Sequence, residues 1–364
     1  MVTRPGRWLS LLALISVLSL VGCAAAAASA PAPSPLPTIV PTAVPSPRPA
    51  LRIAFSERYG GNAALWVAYA VGLFHQQGLD ATLLQMPDRM GLSALAAGDV
   101  EVVVGPGAAA ITAAAAGIDL RLVAGLVNVS PHRLIVDPSI ESAADLRGMR
   151  LGTSRPGSPS DLALRQSLRA LGLDPAKDVV LLQVGSAPER QAALENGAIQ
   201  GAVVVPPEST QLERLEFRTL LNLATSGVEM PNNQVAVAAA VARERPALVQ
   251  RLVDVLVEGT ALAKRDRALA KRVLGEYLQL TDDAALDDTY ELFVQQLAPR
   301  APYPASAGLR HLSPTLIELE PRIVGVDLTA IEDRRFVQRA VDSGLVSRLY
   351  APRPDGQPPA PAGR

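Results

Sequence analysis

The chain has 364 residues, 49% of them hydrophobic, which is enough apolar material for a substantial core in roughly two domains or lobes. Thirty-four basic and 35 acidic residues leave a formal charge of −1, so no global field points to nucleic acid or to an anionic membrane. Aromatic residues make up 4%, which argues against a pocket walled by many stacked rings, and the single cysteine excludes an intrachain disulfide or a cysteine-rich metal site.

Arg4 and Arg7 precede an apolar run over residues 9–21. That run is shorter than the stretch of about 20 residues that spans a bilayer, and it has the order of an export signal. It ends in Leu20-Val21-Gly22-Cys23, which resembles a bacterial lipobox. The resemblance implies cleavage before Cys23 and lipidation of that residue; the alternative is an ordinary secretory signal cut among the alanines of 24–30. Residues 1–23 are therefore expected to be a lipoprotein signal peptide. Residues 24–50 are an Ala/Pro-rich linker with prolines at 31, 33, 35, 37, 41, 45, 47 and 49. At about 3.1 Å per residue, such a segment holds a domain several nanometres from its anchor.

The organising stretch follows at residues 51–78: a strand at 51–55, a polar Gly-containing loop at 56–62, and a helix at 63–75 closed by Gly78. Further units repeat the pattern. Strands are expected at 79–85, 100–104 and 120–127, with helices at 88–97 and 108–116 between them. A second series follows His132: strands at 150–153, 179–184, 199–205 and 220–223, with helices at 159–171, 187–196 and from 206. Residues 232–240 run extended again. Beyond them the pattern is helical, at 246–264, 267–278, 283–297 and 329–349, before a proline-rich tail at 351–364 that is expected to be disordered.

Alternation of this kind means βαβ units and a largely parallel sheet. The expected molecule is an α/β protein of two lobes with a helical C-terminal portion. Lobe 1 comprises residues 51–131 and 235–350, and lobe 2 comprises residues 132–234. Two extended crossings, at 128–136 and 232–240, would form a two-strand hinge. In open α/β sheets ligands sit at the carboxyl ends of strands, so the loops of the two lobes would face one cleft.

Ala68, Gly72-Leu73-Phe74, Gly78-Leu79 and Leu95-Ala96-Ala97-Gly98-Asp99-Val100-Glu101 resemble the first lobe of the nitrate/sulfonate/taurine and thiamine-pyrimidine-precursor (SsuA/THI5-like) substrate-binding proteins of ABC importers. In the second lobe the resemblance rests on Asp145-Leu146-Arg147-Gly148, residues 168–172 with Asp174-Pro175, Ala193-Leu194-Glu195-Asn196-Gly197 and Ile199-Gln200-Gly201-Ala202. It spans residues 51–350 and implies a type II periplasmic-binding-protein fold with a hinge-closing cleft.

Candidate ligand residues lie in the strand-end loops. Ser56, Arg58, Tyr59 and Asn62 occupy the first; free N–H groups at a helix start receive polar or anionic groups, and Gly60-Gly61 allow close approach. Asn62 can instead cap the helix, and Arg58 can be a solvated charge. Trp66, one turn into the helix, is either a pocket wall or a core anchor. Gly105-Pro106 follow the third strand, where the family places ligand contacts; ordinary turn punctuation is the alternative. Ser154, Arg155 and Ser158 form the matching loop of lobe 2, where Ser158 with Asp161 resembles a capping box and Pro159 suits the first helical turn. Asp161 then already complements the helix dipole, which disfavours a compact, strongly anionic ligand. Glu208 is placed to meet an amine or amide, or to be a first-turn acid, and Asn232 lines the cleft or turns the chain.

His75, His132 and His311 lack metal-ligand spacing, and no phosphate loop, nucleophile elbow or paired catalytic carboxylates can be read. No cofactor, metal or enzymatic activity is expected. The function implied is an exported, lipid-anchored solute-binding protein, on the outer face of the cell membrane or in the periplasm. It would be a monomer that delivers a small organic solute (a sulfonate, nitrate, a pyrimidine precursor or similar) to an ABC permease. The alternative is a ligand-sensing surface lipoprotein coupled to a membrane receptor.

Overall fold

The computed structural model describes residues 49–226 and 229–351. The expected signal segment with Cys23, nearly all of the Ala/Pro-rich linker and the tail from 352 lie outside those residues. In chain order, β1 (Ala50–Phe55), α1 (Ala63–Ala70), α2 (Leu73–Gln76), β2 (Asp80–Gln85), α3 (Asp88–Ala97), β3 (Val102–Gly105), α4 (Gly107–Ala115) and β4 (Leu120–Val129) come first. A second series holds β5 (Arg133–Val136), β6 (Arg150–Thr153), α5 (Pro159–Ala170), β7 (Val180–Gln183), α6 (Ala187–Glu195), β8 (Gly201–Val204), α7 (Glu208–Arg214) and β9 (Arg218–Asn222). The chain returns through β10 (Glu229–Ala238) into α8 (Ala239–Glu244), α9 (Pro246–Arg265), α10 (Arg267–Leu278) and α11 (Asp283–Tyr290). A wide π-type turn, Glu291–Gln296, precedes α12 (Ser306–Leu319), α13 (Leu328–Ile331), α14 (Arg335–Asp342) and α15 (Leu345–Tyr350).

Two five-stranded sheets result, ordered β2-β1-β3-β10-β4 and β7-β6-β8-β5-β9. Each begins with a parallel trio: β1 pairs in parallel with β2 and β3, and β6 with β7 and β8. Each is completed by a strand arriving from the other sheet, which enters antiparallel. β10 does so between β3 and β4, and β5 between β8 and β9. The sheets are therefore mixed rather than largely parallel, because β5 and β10 arrive without the crossover helix that a parallel neighbour needs.

Both faces of both sheets are covered, which explains why Val102, Val103 and Val104 are apolar without alternation. One face of the first sheet packs on α1, α9, α10 and α14 through Leu65, Trp66, Leu252, Val273 and Phe336. Its other face packs on α3, α4 and α12 through Leu92, Ile111 and Leu309. The second sheet buries Leu164 and Leu168 of α5 on one side, and Leu194 of α6 with Leu212 of α7 on the other.

Several expected boundaries move. The helix read over 63–75 breaks at Gly72, whose φ of +74° ends α1 before α2 begins. The helix read over 329–349 is three short ones, the last starting after Gly344 at φ +73°. The return crossing also comes earlier than 232–240. β10 starts at Glu229 and Asn233 faces Val127, so residues 229–234 belong to the first sheet and not to the second lobe. Its polar, proline-containing opening hides the strand from a reading based on apolar alternation. Among the described residues no helix is long and apolar enough to cross a membrane.

Candidate functional site

The loops after β1, β3, β6, β7 and β8 converge from the two sheets on one cavity of about 390 Å³, joined by Gln85, the Pro131-His132 crossing and Asn232-Asn233 of β10. This is the carboxyl-end geometry that open α/β sheets use for ligands.

On the first-sheet side, Tyr59 sets the wall. Its ring meets Phe293 edge to face at 5.4 Å, and its hydroxyl donates to Asn232 Oδ1 at 3.1 Å. Burial, then the carboxylates of Glu57 and Asp88, push that hydroxyl well above its usual range, so it remains a donor. The adjacent glycines make this placement possible. A Cβ on Gly60 would meet the Phe293 ring at 2.2 Å, and one on Gly61 would meet the Tyr59 ring at 2.5 Å. Arg58 is exposed at the rim and donates from Nε to Gln85 Oε1 at 2.8 Å.

On the second-sheet side, three serines interlock at the start of α5. Ser154 Oγ donates to Ser158 Oγ at 2.7 Å, Ser160 Oγ donates to Ser154 Oγ at 3.0 Å, and Ser158 Oγ caps the helix by accepting from the Asp161 N–H at 3.2 Å. Asp161 is fully engaged by the Gly157 N–H and by Arg165, each at about 2.9–3.0 Å. The reciprocal bond of the capping box thus comes from Gly157 and not from Ser158.

Arg190 of α6 is 5% exposed and lines the cavity. Its Nε donates to Val203 O at 3.3 Å and its Nη1 to Gly185 O. Burial lowers its pKa, opposed by Glu57, Glu208 and Glu189. His132 accepts or donates at Nδ1 with Ser130 Oγ, 3.1 Å away. Burial and then the charge of Arg190 push its pKa down to about 3, so its ring is neutral. Glu57 and Glu208 interact with Arg190 from opposite sheets. Loss of solvation raises both carboxyls; Asp88 raises Glu57 further and Glu57 raises Glu208, while Arg190 opposes both shifts.

Seven of the residues singled out from sequence line the cavity: Ser56, Arg58, Tyr59, Pro106, Ser154, Glu208 and Asn232. Five stand elsewhere. Trp66 is fully buried, stacked on Tyr277 at 4.6 Å and edge-on to Phe55 at 6.0 Å, which makes it a core anchor. Asn62 is buried behind the loop and does not cap α1. Its Nδ2 donates to Glu57 O at 2.7 Å, and its Oδ1 accepts from Asn233 at 3.0 Å. Gly105 lies beneath Ser56, and Ser158 is spent on the helix cap. Arg155 turns to Asp88 Oδ2 at 3.1 Å and faces a second cavity, of about 500 Å³, between α3, α4 and α12.

Sequence reasoning missed Glu57, Gln85, His132, Ser186 and Arg190. The loops after β2 and β7 follow the same strand-end rule and could have supplied Gln85 and Ser186. Arg190 gives no local signal, because which way a helical residue faces depends on how α6 packs. Among the described residues no cluster of His, Cys, Asp or Glu is arranged to hold a metal ion. What the arrangement offers chemically is a half-enclosed polar site with donors, acceptors and the charges of Glu57, Arg58, Arg190 and Glu208, contributed by two sheets.

The sequence matches the NMT1/THI5-like family over residues 61–268. No curated protein matches it. The fold is that of periplasmic binding proteins. The aliphatic sulphonate-binding protein SsuA of Escherichia coli superposes with a TM-score of 0.65 at 21% identity, covering 78% of this chain and 97% of that one. The alkanesulfonate-binding SsuA of Xanthomonas axonopodis pv. citri, bound to MOPS, gives 0.63 at 22%, covering 78% and 98%. The desulfurization enzyme DszB gives 0.63 at 19%, covering 81% and 99%, so binding proteins and an enzyme share this fold.

Proposed function

The chain belongs to the NMT1/THI5-like family, and on that premise we propose that it is an extracytoplasmic solute-binding lipoprotein that closes on a small organic solute and delivers it to an ABC importer. The observation that supports this most is the cavity where the loops after β1, β3, β6, β7 and β8 converge from both sheets. Enclosure by two lobes ties occupancy to lobe closure, and closure creates the surface a permease can read. Ser56, Arg58, Tyr59, Pro106, Ser154, Glu208 and Asn232 are the proposed contacts, Cys23 is the proposed lipid anchor, and the protein acts as a monomer.

Binding is favoured over catalysis by what surrounds the cavity. The buried Ser130–His132 pair is the nearest thing to an activated nucleophile, yet Ser130 does not line the cavity. His132 is held neutral by burial and then by the charge of Arg190, with no carboxylate among its hydrogen-bond partners in the described residues. A thermal-shift screen of the full chain against sulfonates, nitrate, pyrimidine precursors, flavins and amino-acid-like zwitterions tests the reading. A solute at 100 times its Kd adds about 2.7 kcal/mol, a rise of roughly 2 °C per kcal/mol in the melting midpoint. Small-angle scattering should show compaction with the same solute; an unchanged profile with every tight binder would overturn the proposal.

A further inference from the structure

Two carboxylates and two guanidiniums line the cavity, a mixed set rather than the wholly cationic one a simple anion would ask for. Glu57 comes from the first sheet and Glu208 from the second, and both line the same space as Arg190. Neither glutamate forms an ion pair within 4.0 Å among the described residues, and Glu208 turns onto its own backbone N–H at the start of α7. Arg190 has spent Nε and Nη1 on the carbonyls of Val203 and Gly185, and its Nη2 makes no hydrogen bond among the described residues. Arg58 lines the cavity from its rim with its charge unpaired among the described residues, its Nε donating to the neutral Gln85, and Asp88 is paired with Arg155. His132 adds no charge. The lining charges therefore balance, two carboxylates and two guanidiniums, with Glu57 and Glu208 on walls from opposite sheets and one guanidinium, that of Arg190, offering a free edge.

We infer that the solute carries a protonated nitrogen, seated between Glu57 and Glu208, next to a hydrogen-bond acceptor that meets Nη2 of Arg190. The inference rests on the solute-binding reading above and narrows it. Closing the lobes on an empty or anion-filled cavity brings Glu57 toward Glu208 with nothing between them, and like charges repel. A cation between them turns that repulsion into two attractions, one to each lobe, so the solute itself bridges the closed state. A compact anion finds one edge of Arg190 and Arg58 at the rim, but has two carboxylates beside it.

Matched pairs of probes that differ only in the nitrogen test this on the full chain by calorimetry. They are taurine against isethionate, 4-aminobutyrate against 4-hydroxybutyrate, and 4-aminomethylpyrimidine against 4-hydroxymethylpyrimidine. The expected result is at least one pair in which the amine binds ~10-fold or more tighter, with Glu57→Gln and Glu208→Gln each removing most of that preference. Should either variant fail to fold, the wild-type comparison decides alone. Hydroxyl partners that bind as tightly as their amines in every pair that binds overturn the inference and leave solute binding intact. No binding by any probe counts against both readings.

Discussion

Tyr59 holds its position through contacts on three sides: Phe293 at the ring edge, Asn232 at the hydroxyl, and the bare backbone of Gly61 beneath the ring. Gly61→Ala places a methyl 2.5 Å from that ring, so the ring must leave and its bond to Asn232 with it. The expected cost is about 1–3 kcal/mol, read as a lower denaturation midpoint, with weaker affinity for whichever solute the screen identifies. His132 provides a second test. Its side chain takes up a proton near pH 6.5 when unfolded but only near 3 when folded. The unfolded state therefore binds more protons between those values, and stability is lost as pH falls from about 6.5 toward 3. At pH 5 the penalty approaches about 2 kcal/mol. Arg190 and Ser130 are the groups that face the ring. His132→Asn should flatten the dependence of the melting midpoint on pH over that window; an unchanged slope would count against a buried, neutral ring. The loop after β1 was legible because a polar Gly-containing stretch directly after a strand has few other uses. Arg190 was not, since nothing near it in the chain says that a helical arginine points inward.

At the scale of elements, α5 was the most readable. Ser158, Pro159 and Asp161 mark its start, and the structure uses the serine as the cap. Ser158→Ala should cost about 1 kcal/mol, measured as a melting midpoint lower by roughly 2 °C. A larger loss would show that the hydroxyl triad with Ser154 and Ser160 holds more than the helix end. The π-type turn after α11 was not readable. One extra residue in the turn sets Phe293 over Gly60 and against Tyr59, while α11 and its cap just before it reach across to β5 through Asp288 and to α7 through Asp282. Local widening of a helix leaves no mark in apolar periodicity. β10 was half legible: its valines read as a strand, but its opening Met230-Pro231-Asn232-Asn233 reads as a turn.

For the whole molecule, alternating strands and helices announced layered α/β packing, and the order of motifs announced the family. The pairing of β10 between β3 and β4 was beyond reach, because partners distant in the chain are not encoded in local pattern. Polar straps tie the second-sheet elements to the rest. Arg133 donates to both oxygens of Asp288 at 3.0 and 3.1 Å, Thr210 joins the same carboxylate, Arg214 pairs with Asp282, Arg169 with Glu318, and Arg155 with Asp88. Asp288→Asn keeps the shape and removes the charge from the least exposed pairing to α11. The expected loss is about 1–2 kcal/mol, with a larger radius of gyration for the ligand-free protein in small-angle scattering. An unchanged radius would show that this strap does not hold the lobes together.

The partnership of Glu229 with Val129 has a kinetic consequence as well. These residues are about 100 positions apart, and an unfolded loop of that length carries a large closure entropy before any β4–β10 contact rewards it. Once the intervening sheet has folded, its two ends already lie side by side, and the long loop becomes a short, rigid link. Early folding of the inserted unit would thus lower the effective contact order of the outer one and hasten its completion.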